Sequence, residues 1–120
     1  MRASLGAVAL LAVVAPGAVR AQPYPDVVRS SVYVPVRDGT RLAVNIYRPA
    51  VGGKAVAEPL PVVFAFTPYR ARFRNAEGRV IETALEERRG LRELLTAGSV
   101  VAVADIRGQG ASFGPPGSKL

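Results

Sequence analysis

Histidine, cysteine and tryptophan are all missing from the 120 residues, and each absence closes off some chemistry. Without His there is no ordinary Ser-His-Asp relay and no imidazole metal ligand. Without Cys there is no thiolate nucleophile, no disulfide and no Cys-based zinc site. Catalysis by this polypeptide alone would have to use carboxylates, hydroxyls, Lys and Arg. Disorder is also excluded: apolar residues make up 49% and charged residues 21%, the balance of a globular chain. The length suits one small domain or a piece of a larger one.

Acidic residues are in the minority, 9 against 16 Lys and Arg, for a net charge of +7. Arg2 and Arg20 belong to the leader described next; without them 14 bases face 9 acids, a net +5. The bases are scattered, and the densest group, Arg70, Arg72 and Arg74, falls in an expected loop. That distribution reads as a solvated surface, with no nucleic-acid partner. The leader opens with Met1-Arg2, continues as an apolar run from Leu5 to Ala15, and breaks at Pro16-Gly17. Val19-Arg20-Ala21 then offers residues that a signal peptidase reads, so residues 1–21 are expected to be a signal peptide cleaved after Ala21. The run is well short of the roughly 20 residues a spanning helix needs. Export to the periplasm or medium follows, without stable membrane insertion after cleavage; the alternative is an uncleaved anchor.

Two segments alternate with period two. Val32, Val34 and Val36 share one face of the first, opposite Tyr33 and Arg37. Leu42, Val44 and Ile46 repeat this in the second, opposite Arg41, Asn45 and Tyr47. Half-buried strands have this pattern. Asp38-Gly39 between them is a hairpin signal, because both residues tolerate positive φ. Pro35 cannot donate to a ladder, which places the first strand at a sheet edge.

Beyond Gly52-Gly53 and a loop to Pro61 the pattern changes. Val62 to Phe66 and Val100 to Ala104 are apolar on both faces, as strands covered on both sides would be. A helix is predicted over Glu82–Ala97, with Leu85, Leu91, Leu94 and Leu95 as an imperfect stripe interrupted by Gly90. Gly98 is placed to close it in a left-handed conformation. Strand, helix and strand make a βαβ crossover with parallel strands. The fold class is therefore α/β, a β-hairpin leading into a parallel βαβ unit. One helix cannot cover both faces of that sheet, so the unit is expected to be incomplete, with its open face and edge finished by further chain.

The second buried strand runs into Asp105-Ile106-Arg107-Gly108-Gln109-Gly110-Ala111-Ser112-Phe113-Gly114. Loops at the carboxyl ends of strands are where α/β sheets bind ligands. The glycine spacing is not the dinucleotide fingerprint, and Pro115-Pro116 oppose a helix directly after the loop, which disfavours a nucleotide site. A tight loop using glycine conformations and pinned by an Asp-Arg pair is the simpler reading. Ser112, flanked by Gly110 and Gly114, is not read as a nucleophile. The elbow around such a Ser runs straight into a helix, and the chain offers no base.

Three motifs occur in one order: Val34-Pro35-Val36-Arg37-Asp38-Gly39-Thr40-Arg41-Leu42, then Thr67-Pro68-Tyr69, then Asp105-Ile106-Arg107-Gly108 with Gly110, Ser112 and Gly114. Together they resemble the start of the cocaine-esterase and X-prolyl dipeptidyl-peptidase family of serine hydrolases, which includes exported α-amino-acid ester hydrolases. The resemblance covers Val32 to Gly114. It implies the N-terminal part of an α/β-hydrolase fold, with residues 22–120 ending before the nucleophile elbow. It also implies acyl-enzyme hydrolysis of a small ester, an amide or an X-prolyl peptide, with no metal or organic cofactor. The one family functional residue with a counterpart is Tyr69, whose hydroxyl would donate to the oxyanion; the triad has none, and Ser112 corresponds to a loop residue. Alternatives remain a small secreted β-rich binding module and, less well supported, a nucleotide-binding domain.

Overall fold

A computed structural model describes residues 24–115, so the leader and its cleavage site lie outside the described residues. The opening hairpin is present and longer than the alternation indicated. β1 (Asp26–Pro35) pairs antiparallel with β2 (Arg41–Val51) from Asp26 opposite Ala50 to Pro35 opposite Arg41. The connection is a loop closed by Val36 N–H to Thr40 C=O at 2.8 Å and Gly39 N–H to Val36 C=O at 2.8 Å. Gly39 takes φ +81°, whereas no residue other than glycine has positive φ among the described residues. Asp38 therefore serves the turn through its side chain, accepting from Thr40 N–H at 3.0 Å.

A two-residue β3 (Lys54–Ala55) folds back on the end of β2. β4 (Val62–Thr67) then runs parallel to β7 (Val100–Asp105), in register from Val62 opposite Val100 to Thr67 opposite Asp105. β7 also pairs antiparallel with β2, so the sheet order is β1-β2-β7-β4 and β1 is an edge, as Pro35 requires. The result is a mixed, β-rich sheet with two short helices.

Those helices are α1 (Thr83–Glu86) and α2 (Arg89–Thr96), where one helix over Glu82–Ala97 was expected. The break falls at Glu87–Arg88 rather than at Gly90, and Glu82 ends a strand instead of starting the helix. Leu95 is fully buried, Leu85 and Leu91 pack against the core, and Leu94 points to solvent. Two four- to eight-residue turns of helix can each present their own apolar side to the sheet, which one continuous stripe with this spacing could not do. Gly98, at φ +106°, closes α2 as expected.

Arg72 and Arg74 are also not in a loop. They flank Phe73 in β5 (Arg72–Arg74), which pairs with β6 (Val80–Glu82) in a separate small hairpin. Strands of three residues are too short for a period-two signal to emerge from sequence.

One face of the large sheet carries the helices. Tyr47, Val101, Val103 and Leu95 form its core with Ala71 and Ala84, and Val27, Val63 and Ala65 extend it. Burying each such Leu or Val contributes roughly 1.5–3 kcal/mol. The expected facing of the hairpin is met only in part: Val44, assigned to the core, is buried, but so are Asn45 and Tyr47, assigned to solvent, while Val32 and Val34, assigned to the core, are exposed much as Tyr33 is. Alternation fixes which residues share a face but not which face the helices choose. The opposite face is buried at its centre, at Val44, Val100 and Ala104, but bare along β4 and at Val32 and Val34 of β1. Val62, Phe64 and Phe66 on β4 are 63%, 61% and 54% exposed, so β4 is covered on one side only, unlike β7.

Candidate active site

Parallel pairing brings the carboxyl ends of β4 and β7 together, with Thr67 opposite Asp105 and Ile106 N–H donating to Thr67 C=O at 3.0 Å. Two of the sequence-identified segments leave from this one rim, the place where open α/β sheets bind ligands. The turn of the β1-β2 hairpin joins them there, because β2 runs antiparallel to β7.

Tyr69 stands two residues past β4, with its side chain 73% exposed. Its backbone is held more firmly than its ring. Tyr69 N–H donates to Thr67 Oγ1 at 3.0 Å, and Ala71 N–H donates to Asp105 Oδ1 at 2.8 Å. Ala71 C=O accepts from Thr83 N–H at 3.2 Å and from Thr83 Oγ1 at 3.0 Å. Tyr69, carried on this anchored strap, lines an open cleft with Phe73, Glu87 and Gln109. A larger cleft of about 550 Å³, bordered by Pro25, Asp26, Arg92 and Thr96, lies at the opposite end of the sheet. None of the three sequence-identified segments borders it, whereas all three meet at the carboxyl-end rim beside Tyr69, which is the better candidate.

The glycine-rich loop is tight, with Gly108 at φ +69° and Gly110 at φ +53°. Only glycine fits at 110, where a Cβ would sit 2.1 Å from Asp105 Oδ2. An Asp-Arg pair does pin the loop, but the acid comes from the hairpin turn: Arg107 Nη1 lies 2.6 Å from Asp38 Oδ2 and 2.6 Å from Thr40 Oγ1. The bonds from Arg107 and from Thr40 hold the Asp38 carboxyl far below the usual carboxylate range. The loop's own Asp105 instead accepts from two backbone amides, a role that sequence reading missed because both donors are remote in the chain or hidden in the loop.

Ser112 is placed as a structural hydroxyl. Its Oγ accepts from Ala43 N–H at 2.8 Å and donates to Asp105 C=O at 2.7 Å, tying β2 to the end of β7. Beyond it, Phe113 packs on Tyr33, with centroids 5.3 Å apart, and Arg41 stacks 4.4 Å from the Phe113 ring. Among the described residues no group of His, Cys, Asp and Glu is arranged to hold a metal ion.

Comparison with known proteins decides the family. Residues 38–119 match the X-Pro dipeptidyl-peptidase family, S15. The chain belongs to that family. The match takes in the hairpin turn, Tyr69 and the whole glycine-rich loop. A Mycobacterium bovis protein assigned as a serine esterase is 33% identical over an alignment of 95 positions that covers 71% of this chain and 14% of that protein. Cocaine esterase from a Rhodococcus species is 50% identical over 42 residues, 35% of this chain and 6% of that enzyme. Among solved structures, an aminopeptidase from a marine sediment Thaumarchaeota archaeon superposes with a TM-score of 0.52 at 26% identity. That match covers 75% of this chain and 14% of the aminopeptidase. An α-amino acid ester hydrolase superposes with a TM-score of 0.50 at 25% identity, over 88% of this chain and 17% of that one. The chain therefore spans about one seventh of the length of the curated serine-esterase relatives that it matches over 95 aligned positions.

Proposed function

We propose that this S15 chain forms the N-terminal part of the catalytic domain of an exported serine acyl hydrolase with the α/β-hydrolase fold, and that Tyr69 is an oxyanion donor. The observation that carries this reading is the placement of Tyr69. Tyr69 is exposed on a strap anchored at Thr67, Asp105 and Thr83, at the carboxyl-end rim where α/β sheets as a class bind ligands. A preorganised neutral donor of this kind stabilises negative charge as it develops on a carbonyl oxygen, without first having to reorganise.

In the reaction, a serine hydroxyl attacks the carbonyl of an ester, an acylated β-lactam or an X-prolyl peptide. The carbonyl oxygen takes up negative charge, the alcohol or amine leaves with a proton, and water then releases the acyl-enzyme. The chain holds no His and its Ser112 is occupied by two backbone groups, so nucleophile and base come from other parts of the protein that carries this segment. The 120 residues alone are expected to be inactive.

Tyr69→Phe in the protein that carries the segment tests the assignment. The expected result is a kcat loss on the order of 10²–10³-fold with little change in KM, since the donor acts at the transition state. An unchanged kcat would reduce Tyr69 to a surface residue. Export is the other part of the proposal, supported by the Leu5–Ala15 run and the Val19–Ala21 site. N-terminal sequencing of exported protein should begin at Gln22, and a membrane-bound product retaining Met1 would overturn it.

A further inference from the structure

We infer that Asp105 is the positioning residue for the oxyanion donor, holding the Tyr69 strap against the glycine-rich loop; the inference rests on the reading of Tyr69 given above. Asp105 is 2% exposed, and none of the four ion pairs among the described residues uses it. A carboxylate withdrawn from water without a cation is costly unless its oxygens are otherwise satisfied. Here Oδ1 accepts from Ala71 N–H at 2.8 Å and Oδ2 from Ala111 N–H at 3.1 Å. One side chain therefore joins the strap after β4 to the loop after β7, the two segments that meet at the rim.

The surrounding residues are arranged around that carboxylate. Gly110 lets the loop close on Oδ2, where a Cβ would stand 2.1 Å away. Ser112 Oγ donates to the Asp105 carbonyl at 2.7 Å and fixes its backbone. On the strap, Ala71 is two residues from Tyr69, and its carbonyl is held by Thr83 while its amide is held by Asp105. The tyrosine ring makes no comparable attachment and is left 73% exposed, so the position of its hydroxyl follows from where the strap lies. Displacement of a catalytic group by about 1 Å can cost on the order of 10²-fold in rate. Asp at 105 offers one oxygen to each amide, whereas Asn would present one oxygen and turn an N–H toward the other amide.

The test is a double-mutant cycle in the full-length protein that carries the segment, with kcat and KM measured on a p-nitrophenyl ester. Enzyme concentration is set by active-site titration, so that loss of folded protein does not count as loss of rate. Asp105→Asn should lower kcat by about 10–100-fold with KM changed by less than about threefold. In the Tyr69→Phe background the same change should cost no more than about threefold, because a misplaced donor matters little once the donor is gone. If Asp105→Asn does not fold, Thr83→Val removes only the hydroxyl bond to Ala71 C=O. It should give a smaller kcat loss, about 2–5-fold, that also disappears in the Tyr69→Phe background. Losses that multiply fully in either cycle, or no kcat loss at all, would overturn the positioning role while leaving the donor intact. A Tyr69→Phe enzyme with unchanged kcat would instead sink the oxyanion reading and the inference together.

Discussion

Tyr47 shows what a single residue can hide. It is fully buried between the sheet and Leu95, yet its hydroxyl has no hydrogen-bond partner, and neither has the buried Glu82 Oε2. Burial first, and the neighbouring Glu82 charge second, push the phenol well above its ordinary pKa. Glu82 acts on the phenol through its charge and also as a nearby acceptor, although the contact falls outside good hydrogen-bond geometry. A desolvated hydroxyl that gains no bond costs stability. Tyr47→Phe in the full-length protein that carries the segment is therefore expected to leave stability within about 1 kcal/mol of the unsubstituted protein or to raise it, as read by urea denaturation. A loss above about 2 kcal/mol would mean that the hydroxyl is bonded to Glu82 in solution.

Between elements, the hairpin turn and the glycine-rich loop are clasped by Asp38 and Arg107. The Asp38 carboxyl is held far below the usual carboxylate range by Arg107 and then Thr40. A group whose folded-state pKa is depressed adds stability above its unfolded pKa, about 3.9 for Asp, and loses it as pH falls through the folded value. Asp38→Asn should thus be less stable than the parent at neutral pH, with the gap closing only in acid well below about pH 4. Both side chains are partly exposed, at 36% and 56%, so the effect is modest and should shrink with added salt. A gap that is independent of pH would show that the turn depends on packing and not on the ion pair. A second clasp, Glu82 with Arg29 at 3.0 Å and Arg72 at 3.5 Å, ties the edge strand to the small hairpin in the same way.

At the scale of the molecule, the helices cover one face of the sheet, and the β4 and β1 margins of the other are left to solvent among the described residues. Val32, Val34, Val62, Phe64 and Phe66 are all more than two-fifths exposed, and Phe64 and Phe66 stack with centroids 6.2 Å apart. The outer edge of β4 is unpaired as well. Bare apolar faces and flat edges recruit other chains. Produced alone from Gln22, the segment is expected to aggregate or to bind a hydrophobic dye and unfold without cooperativity. Replacing Phe64 and Phe66 with Ser should reduce dye binding. Sharp two-state unfolding of a dilute monomer would instead favour the small binding module.

Much of this was legible in the chain because it depends on local chemistry. Gly39 and Pro35 announce a turn and an edge, Gly98 closes a helix, and the runs at Val62 and Val100 are long enough to declare parallel strands. The motif order around Asp38, Tyr69 and Asp105 carried the family. Three-residue strands around Phe73 and Ile81 leave too little pattern to read. Alternation along β2 could not say whether Val44 or Asn45 faces the helices, since a period of two is symmetric between faces. Nor could it reveal that Arg107 pairs with Asp38 across 69 residues, or that Asp105 reaches the amide of Ala71. Spacing along a chain determines which residues share an element. Which elements meet, and so which charges and amides come within hydrogen-bond reach, is decided when the sheet assembles.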